Sequence, residues 1–449
     1  MRLVRFFILI FLLPLSAQAG LNISVWNEFV QLTEEGKKTL ISIEGQVKDL
    51  PKNQAMTAFS ISFDPKQNIS ISSVLFEGNP TKYDFVDNVL KIDFPSRKSS
   101  GQLVSLKISY SEKYEKINKY LRQEAIYVPD FAVGAFVKFV INFPDHELTT
   151  YTKDAIHEGD NLTYTAVAPK EGISKVVKFT PKESVWKVVV KSSIKAEKPL
   201  GEFTIKTQPY FQASRQRVEN YKTSFTANPT ITDRKGSEIN YTFRFPSNNF
   251  VIETEAKITN GLTHRKQMMR NMIAYTKTTK EEMSLLGATL MKIQSDPIYN
   301  GLPIYVAIGR FVNKFLAYDE TYIGRLPPLE EVIKGRIGVC TEFAKLYDTL
   351  ARLAGIPSII VEGAACGEYD QCQGHSWNMI FYDGRWIEVD PTWDLMSGVV
   401  SSSHVFVNEG GKGGVEIKYS ESVKNLEMKM DLEMKPYSSD NAQTPKTQN

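Results

Sequence analysis

The sequence predicts a multidomain β plus α+β protein, with N-terminal β-sandwich domains followed by an α+β core. Three observations carry this reading. Runs of alternating polarity recur between residues 20 and 260, which implies sheets with one buried and one wet face. Helical periodicity begins only after residue 260. A chain of 449 residues is long enough for two to four domains at about 100–200 residues each.

Taken in order, residues 1–19 read as a secretory signal peptide. Arg2 and Arg5 precede the apolar run Phe6–Leu15, and Ala17-Gln18-Ala19 forms a small-residue cleavage pattern. An apolar run of about ten residues is too short to span a bilayer; a membrane anchor is the alternative. No cysteine follows the run, so a bacterial lipid anchor is not expected, and no later stretch reaches the length of a membrane helix. The expected location is therefore periplasmic or secreted, and an integral membrane protein is not expected. Without Arg2 and Arg5 the 54 basic residues exceed the 51 acidic ones by one. This near-neutral balance, with no basic patch interleaved with aromatics, argues against a nucleic-acid partner.

The strand-like runs are Phe59–Phe63, Val104–Tyr110, Trp186–Val190, Tyr241–Phe245 and Ile252–Ile258. With turn residues between them and no long helical pattern, they suggest two β-sandwiches, one over 20–180 and one over 181–260, divided near Pro181. Residues 261–436 form the expected catalytic domain. There Ile304, Ile308, Phe311, Val312 and Phe315 recur at helical spacing. Gly410-Gly411-Lys412-Gly413-Gly414 lacks the ending of a phosphate loop and reads as a β-turn. Residues 437–449 form an expected disordered tail.

Chemistry is legible in one stretch. Cys340 opens a helix whose apolar stripe is Phe343, Tyr347, Leu350, Ala351 and Ala354, with Gly355 placed as a C-terminal cap and Pro357 beyond it. A thiol at a helix start meets unpaired N–H groups and the positive dipole end, both of which favour the nucleophilic thiolate. The alternative is a buried, inert cysteine. His375 precedes a strand through Tyr382; Asp383-Gly384 signals a two-residue hairpin turn, and Arg385–Val389 returns. If Tyr382 faces Arg385, then Asp390 faces Trp377, which shares a sheet face with His375. His375 and Asp390 become diagonal neighbours with Cα atoms roughly 7–8 Å apart, so the carboxylate can accept a hydrogen bond from the imidazole. Glu388 shares the face farther away, and Asp394 is the rival orienting acid. Trp377, Trp386 and Trp393 read as walls, although an indole N–H could serve an oxyanion.

The chain has three cysteines. An odd count in an exported protein implies one pair and one free thiol. Cys366 and Cys372 are the expected disulfide, with a redox switch or a metal pair as alternatives, and Cys340 is left over. Closure of so small a ring stabilises by about 2–2.5 kcal/mol in the chain-entropy model. It would also stiffen the approach to His375.

Together these motifs resemble the bacterial transglutaminase-like (papain-fold) superfamily. The resemblance rests on Gln294-Ser295-Asp296-Pro297, Gly338-Val339-Cys340-Thr341-Glu342-Phe343-Ala344, Arg352-Leu353-Ala354-Gly355-Ile356-Pro357, Gly374-His375-Ser376-Trp377 and Asp390-Pro391-Thr392-Trp393. Residues 181–260 resemble the β-domain that often precedes this module in exported bacterial proteins. The resemblance implies a papain-like/transglutaminase-like α+β core with a catalytic triad of Cys340, His375 and Asp390. No cofactor or metal is expected, since no C-x-x-C spacing appears; a metal site on His375 and the cysteines, at poor spacing, is the third reading. Animal-type members commonly carry Trp after the cysteine; Thr341 stands here, as in the broader bacterial group that includes peptidases and amidases.

The expected function is an exported cysteine-dependent acyl transfer on peptide or side-chain amide bonds, by hydrolysis or by transamidation. The expected partner is a protein or peptide substrate, which could belong to the cell envelope. The alternative is a catalytically inactive envelope binding or assembly protein built on the same scaffold.

Overall fold

The computed structural model describes residues 20–437 apart from 115–118, 198–200, 208–214, 236–237, 246–247, 262–271, 368–370, 410–414 and 420–426. The expected leader 1–19, the turn at 410–414 and all of the expected tail except Tyr437 lie outside the described residues. The chain forms two compact units, one of residues 1–117, 122–147 and 152–178, the other of 118–121, 148–151 and 179–449. No helix among the described residues is long and apolar enough to cross a membrane.

Residues 20–261 are built from β-sheets, as their alternation requires. In the first unit the strand Leu103–Lys113 buries Val104, Leu106, Ile108 and Tyr110 and turns the residues between them outward. It belongs to an eight-stranded sheet in which Gly20–Leu32, Gly36–Lys48 and Leu103–Lys113 pair antiparallel. The unit also buries charge. Lys37 Nζ lies 3.2 Å from Glu112 and 3.3 Å from Glu124, and Arg122 Nε lies 3.0 Å from Glu124. Such groups remain inside only when paired.

The second unit opens with two four-stranded sheets. One is ordered 216–225, 249–261, 183–195, 427–436, and the other 231–235, 238–245, 201–207, 415–419. Ile194, Phe203, Ile205, Phe243, Phe250 and Ile252 form one apolar cluster within this β-rich part. Strands Val415–Tyr419 and Glu427–Pro436 pair with Gly201–Thr207 and Glu183–Lys195. The chain thus returns after the core to the sheets formed before it.

Between these strands lies the α+β part. Helix α1 (Lys280–Ser295) starts at Thr279, whose side chain accepts from Glu282 N–H while Glu282 accepts from Thr279 N–H, a reciprocal cap. Then follow α2 (Ile304–Phe315), α3 (Leu329–Gly335) and α4 (Cys340–Leu353). Helix α4 ends as its sequence demands. Gly355 takes φ 78°, its N–H bonds to Arg352 O, and Ile356 N–H bonds to Ala351 O, the paired bonds of a Schellman cap. The sheet contains β1 (Ser358–Cys366), β2 (Cys372–Tyr382), β3 (Arg385–Val389) and β4 (Val405–Glu409), in the order β3-β2-β1-β4. Val306, Ile308 and Val312 of α2, Phe343, Leu346, Tyr347 and Leu350 of α4, and Ile380 and Val389 of the sheet share one buried core. Each large side chain there contributes about 1.5–3 kcal/mol by leaving water.

Candidate active site

Cys340 is the first residue of α4 and a free, half-buried thiol. Its position is fixed from three sides. Glu342, itself buried, accepts the Val339 N–H at 2.9 Å and closes the helix start. Gly338 is needed for this approach, because a Cβ there would stand 2.5 Å from Glu342 Cβ. Asn378 on β2 donates Nδ2–H to Ala344 O at 3.0 Å, which ties the strand carrying the histidine to the helix carrying the thiol.

The hairpin adopts the register expected from its turn. Asp383 and Gly384 both have positive φ, and Tyr382 faces Arg385 while Asn378 faces Val389. One step further along, Asp390 leaves the ladder and exchanges backbone bonds with Leu395 at 3.0 Å. Its Oδ2 lies 2.9 Å from His375 Nε2. Asp390, rather than the rival Asp394, therefore meets the imidazole. Oδ1 of Asp390 accepts the Thr392 N–H at 2.8 Å and the Trp393 N–H at 3.4 Å. Asn313 on α2 holds the same turn through Pro391 O and Thr392 O.

With Nε2 of His375 engaged by Asp390, Nδ1 is the ring nitrogen left for the thiol, and each of Cys340 and His375 shifts the ionisation of the other. Burial pushes the Cys340 thiol up, but the hydrogen bond and charge of His375 and the Ser376 N–H outweigh it and bring the thiol below its ordinary value. Burial would lower His375, yet the Asp390 carboxylate and the thiol raise it to about 10. Burial opposes ionisation of Asp390, and the two neighbouring histidines hold it well below the usual carboxylate range. The arrangement favours a thiolate beside an imidazolium. Trp393 stacks on His375 with centroids 4.4 Å apart and planes 18° apart, which fixes the ring and shields one face from water.

Cys366 and Cys372 are bonded at S–S 2.08 Å and face each other across β1 and β2. Three pairs further along the ladder, His375 faces Gly363. Val405 O would lie 1.9 Å from a Cβ at Gly363, so only glycine lets β4 approach β1 there.

One residue of the site was missed in the sequence. His404 lies just before β4, buried, with Nε2 3.3 Å from the same Oδ2 of Asp390 and Nδ1 2.7 Å from Ser401 Oγ. Burial and its surroundings lower its pKa to about 4. The usable signal was Ser401-Ser402-Ser403-His404 directly before the apolar Val405-Phe406-Val407, a polar group about to enter a buried strand. His375, Asp390 and His404 offer ligand atoms within 4.8 Å of one another. Both imidazoles, however, aim Nε2 at one oxygen at hydrogen-bond distance, which a pair of N–H donors on a carboxylate explains without a cation.

Residues 298–391 match the model of the transglutaminase-like superfamily. Kyphoscoliosis peptidase of Mus musculus is 32% identical over 75 residues, covering 14% of this chain and 10% of that protein. The Homo sapiens protein is 34% identical over 74 residues with the same coverage. The chain thus spans about a tenth of the length of these curated relatives. Among solved structures, a protein of Cytophaga hutchinsonii assigned as a cysteine protease aligns with a TM-score of 0.42 at 14% identity, over 57% of this chain and 92% of that one. An M1 zinc metallopeptidase of Deinococcus radiodurans aligns at TM-score 0.25 and 8% identity, over 38% of this chain and 44% of that one. The stretch that carries Cys340, His375 and Asp390 is a domain of the transglutaminase-like superfamily.

Proposed function

We propose that the protein is an exported cysteine-dependent acyl-transfer enzyme acting on peptide or side-chain amide bonds. The observation that supports this most is the buried 2.9 Å bond between His375 Nε2 and Asp390 Oδ2, beside a free thiol at the start of α4 whose ionisation His375 favours. The Cys340 thiolate attacks the amide carbonyl carbon, a C–S bond forms, and the carbonyl oxygen takes the charge. The Cys340 N–H, at the first position of α4, has no intrahelical acceptor by helix geometry and suits that oxyanion. His375 gives its proton to the leaving nitrogen as the C–N bond breaks, and a thioester remains. His375 then takes a proton from the acceptor, which attacks the thioester and restores the thiolate. Water as acceptor gives hydrolysis and a primary amine gives transamidation. Asp390 stabilises the imidazolium and fixes the ring tautomer. A polypeptide of the cell envelope suits an exported enzyme of this class.

The test is thiol reactivity. A limiting alkylating agent at neutral pH, with adduct location by mass spectrometry, is expected to label Cys340 faster than a free model thiol, and the excess is lost in His375→Ala. Labelling at the model rate would overturn the reading. Incubation with a peptide library and a labelled primary amine then reads substrate and acceptor together.

A further inference from the structure

We propose that His404 is a positioning residue for this reaction: a neutral imidazole that donates Nε2–H to Asp390 and is held in that tautomer by the Ser401 hydroxyl. The inference rests on the acyl-transfer reading above and extends it to residues outside the Cys-His-Asp set.

The direction of every hydrogen bond follows from counting protons. Cys366 N–H donates to Ser403 Oγ at 3.1 Å, which uses that oxygen as an acceptor. Ser401 Oγ lies 2.7 Å from Ser403 Oγ and 2.7 Å from His404 Nδ1. An imidazole nitrogen facing the Asp390 carboxylate must carry a proton, so in a neutral His404 Nε2 is the donor and Nδ1 the acceptor. Ser401 must then give its single proton to Nδ1, and Ser403 directs its proton to Ser401 Oγ at 2.7 Å in preference to its longer acceptor, Cys366 O at 3.3 Å. The result is one unbroken series of donors from the Cys366 backbone through Ser403, Ser401 and His404 to Oδ2 of Asp390. All of its side chains are buried, where aligned hydrogen bonds polarise and strengthen one another.

A second proton on His404 has no support. The titratable groups facing it are Asp390, His375 and Arg215, whose Nη1 donates to Val400 O at 2.8 Å. Asp390 is one negative charge already shared with His375, and Arg215 is positive. Beside it stand the Ser401 hydroxyl on Nδ1 and the rings of Trp377 and Trp393, set nearly perpendicular at 5.0 and 5.1 Å, none of which carries a negative charge. Asp390 thus receives four N–H donors, two on each oxygen. Its carboxylate plane is fixed, and with it the plane of His375. The same series ends on Cys366, so the disulfide-bearing strand end and the reacting centre share one polar framework.

The experiment compares His404→Phe, His404→Gln and Ser401→Ala by the rate of Cys340 alkylation across pH, with near-UV circular dichroism as the check on folding. Gln can donate to Asp390 through its amide N–H and accept from Ser401 through its oxygen. His404→Phe is expected to slow Cys340 by about tenfold to a hundredfold and to move the rising limb of its pH profile upward, while His404→Gln stays within about threefold of the parent. Folded Phe and Gln variants that lose rate equally, or a Phe variant with the parent rate and profile, would overturn the proposal. If the Phe variant does not fold, nitrogen-15 NMR of the parent imidazoles decides. A neutral Nε2–H tautomer of His404 held from pH 5 to 8, and lost from sole occupancy in Ser401→Ala, supports it; an Nδ1–H or titrating His404 refutes it. A parent Cys340 no faster than a model thiol would instead sink the acyl-transfer reading, and the NMR result would still report on His404 alone.

Discussion

His375 and Asp390 meet at 2.9 Å between Nε2 and Oδ2 across fifteen residues of chain, both buried. The bond exists because a tight turn at Asp383-Gly384 sets the register and the bridge at Leu395 turns Asp390 inward. Asp390→Asn keeps the shape but replaces one acceptor oxygen with an amide donor. The amide favours the imidazole tautomer with its lone pair on Nε2, and the proton then sits on the side of the thiol. Turnover, once a substrate is in hand, is expected to fall by up to about 10⁴-fold, the loss that the wrong tautomer produces in a serine protease triad. Thermal melting should confirm that the variant folds.

The pH dependence of Cys340 follows from the same pair. Its thiol lies below the ordinary value and His375 is raised to about 10. Alkylation by iodoacetate, an anion, should rise with a midpoint below the free-thiol value of about 8.5 and stay level through neutral pH. It should then fall near pH 10, where the imidazolium that attracts the reagent loses its proton. In His375→Ala the profile should become a single rise with its midpoint moved above that of the parent, because burial and Asp390 then raise the thiol without the imidazole to oppose them. A parent profile of that simple kind would deny the ion pair.

Much of this site was legible because its signals are local. The helix at Cys340 has a stripe and a glycine cap, and a two-residue turn makes strand parity computable, so His375 and Asp390 could be placed on one face. His404 has no such rule. It follows an irregular stretch, and its approach to Asp390 depends on β4 pairing with β1, a contact made across some forty residues. The C-terminal strand Glu427–Pro436 shows the same limit. Its alternation of Met428, Met430, Leu432 and Met434 is visible in the sequence, but its partner Glu183–Lys195 lies far upstream. Nor does alternation reveal Lys37, Glu112 and Glu124, because charged residues at strand positions ordinarily read as solvent-facing.

Acid should expose His404 as a stability element. Its folded pKa is lowered to about 4, below an unfolded value of about 6.5. Between these values the unfolded chain binds a proton that the folded one refuses, so stability is present above about pH 6.5 and is lost as pH falls toward about 4. The loss amounts to roughly 3 kcal/mol over that window. His375 has the opposite sign: raised to about 10, it adds nothing to the acid slope, and its contribution is lost only as pH rises toward that value. Urea titrations at pH 7 and pH 4.5 should show a smaller drop for His404→Gln than for the parent. Equal drops would mean that His404 is not neutral in the folded protein.

The disulfide closes a short loop three ladder pairs from His375. Replacing both Cys366 and Cys372 with alanine should lower stability by about 2–2.5 kcal/mol, read as a shift in urea midpoint at unchanged slope. Cys340 alkylation should slow as well, because strand ends freed at Cys366 loosen both the His375 approach and the Ser403 contact. A variant of parent stability would show that the strand pairing alone holds the loop closed.

Gly338 offers a test that leaves every reacting group in place. A methyl group there would stand 2.5 Å from Cβ and 2.9 Å from Cγ of Glu342. Glu342 cannot withdraw, since its side chain is buried and holds the Val339 N–H. The first turn of α4 must shift instead, and with it Cys340. Gly338→Ala should therefore cost about 1–3 kcal/mol of stability, as overpacking does. It should also slow Cys340 by about tenfold or more, because reacting groups tolerate little misplacement. Gly335→Ala is the matched control, for its Cβ would meet only Tyr322 Oη, at 3.7 Å. Parent-like thiol reactivity in Gly338→Ala would show that the helix start is free to adjust and that its geometry does not set the pairing of Cys340 with His375.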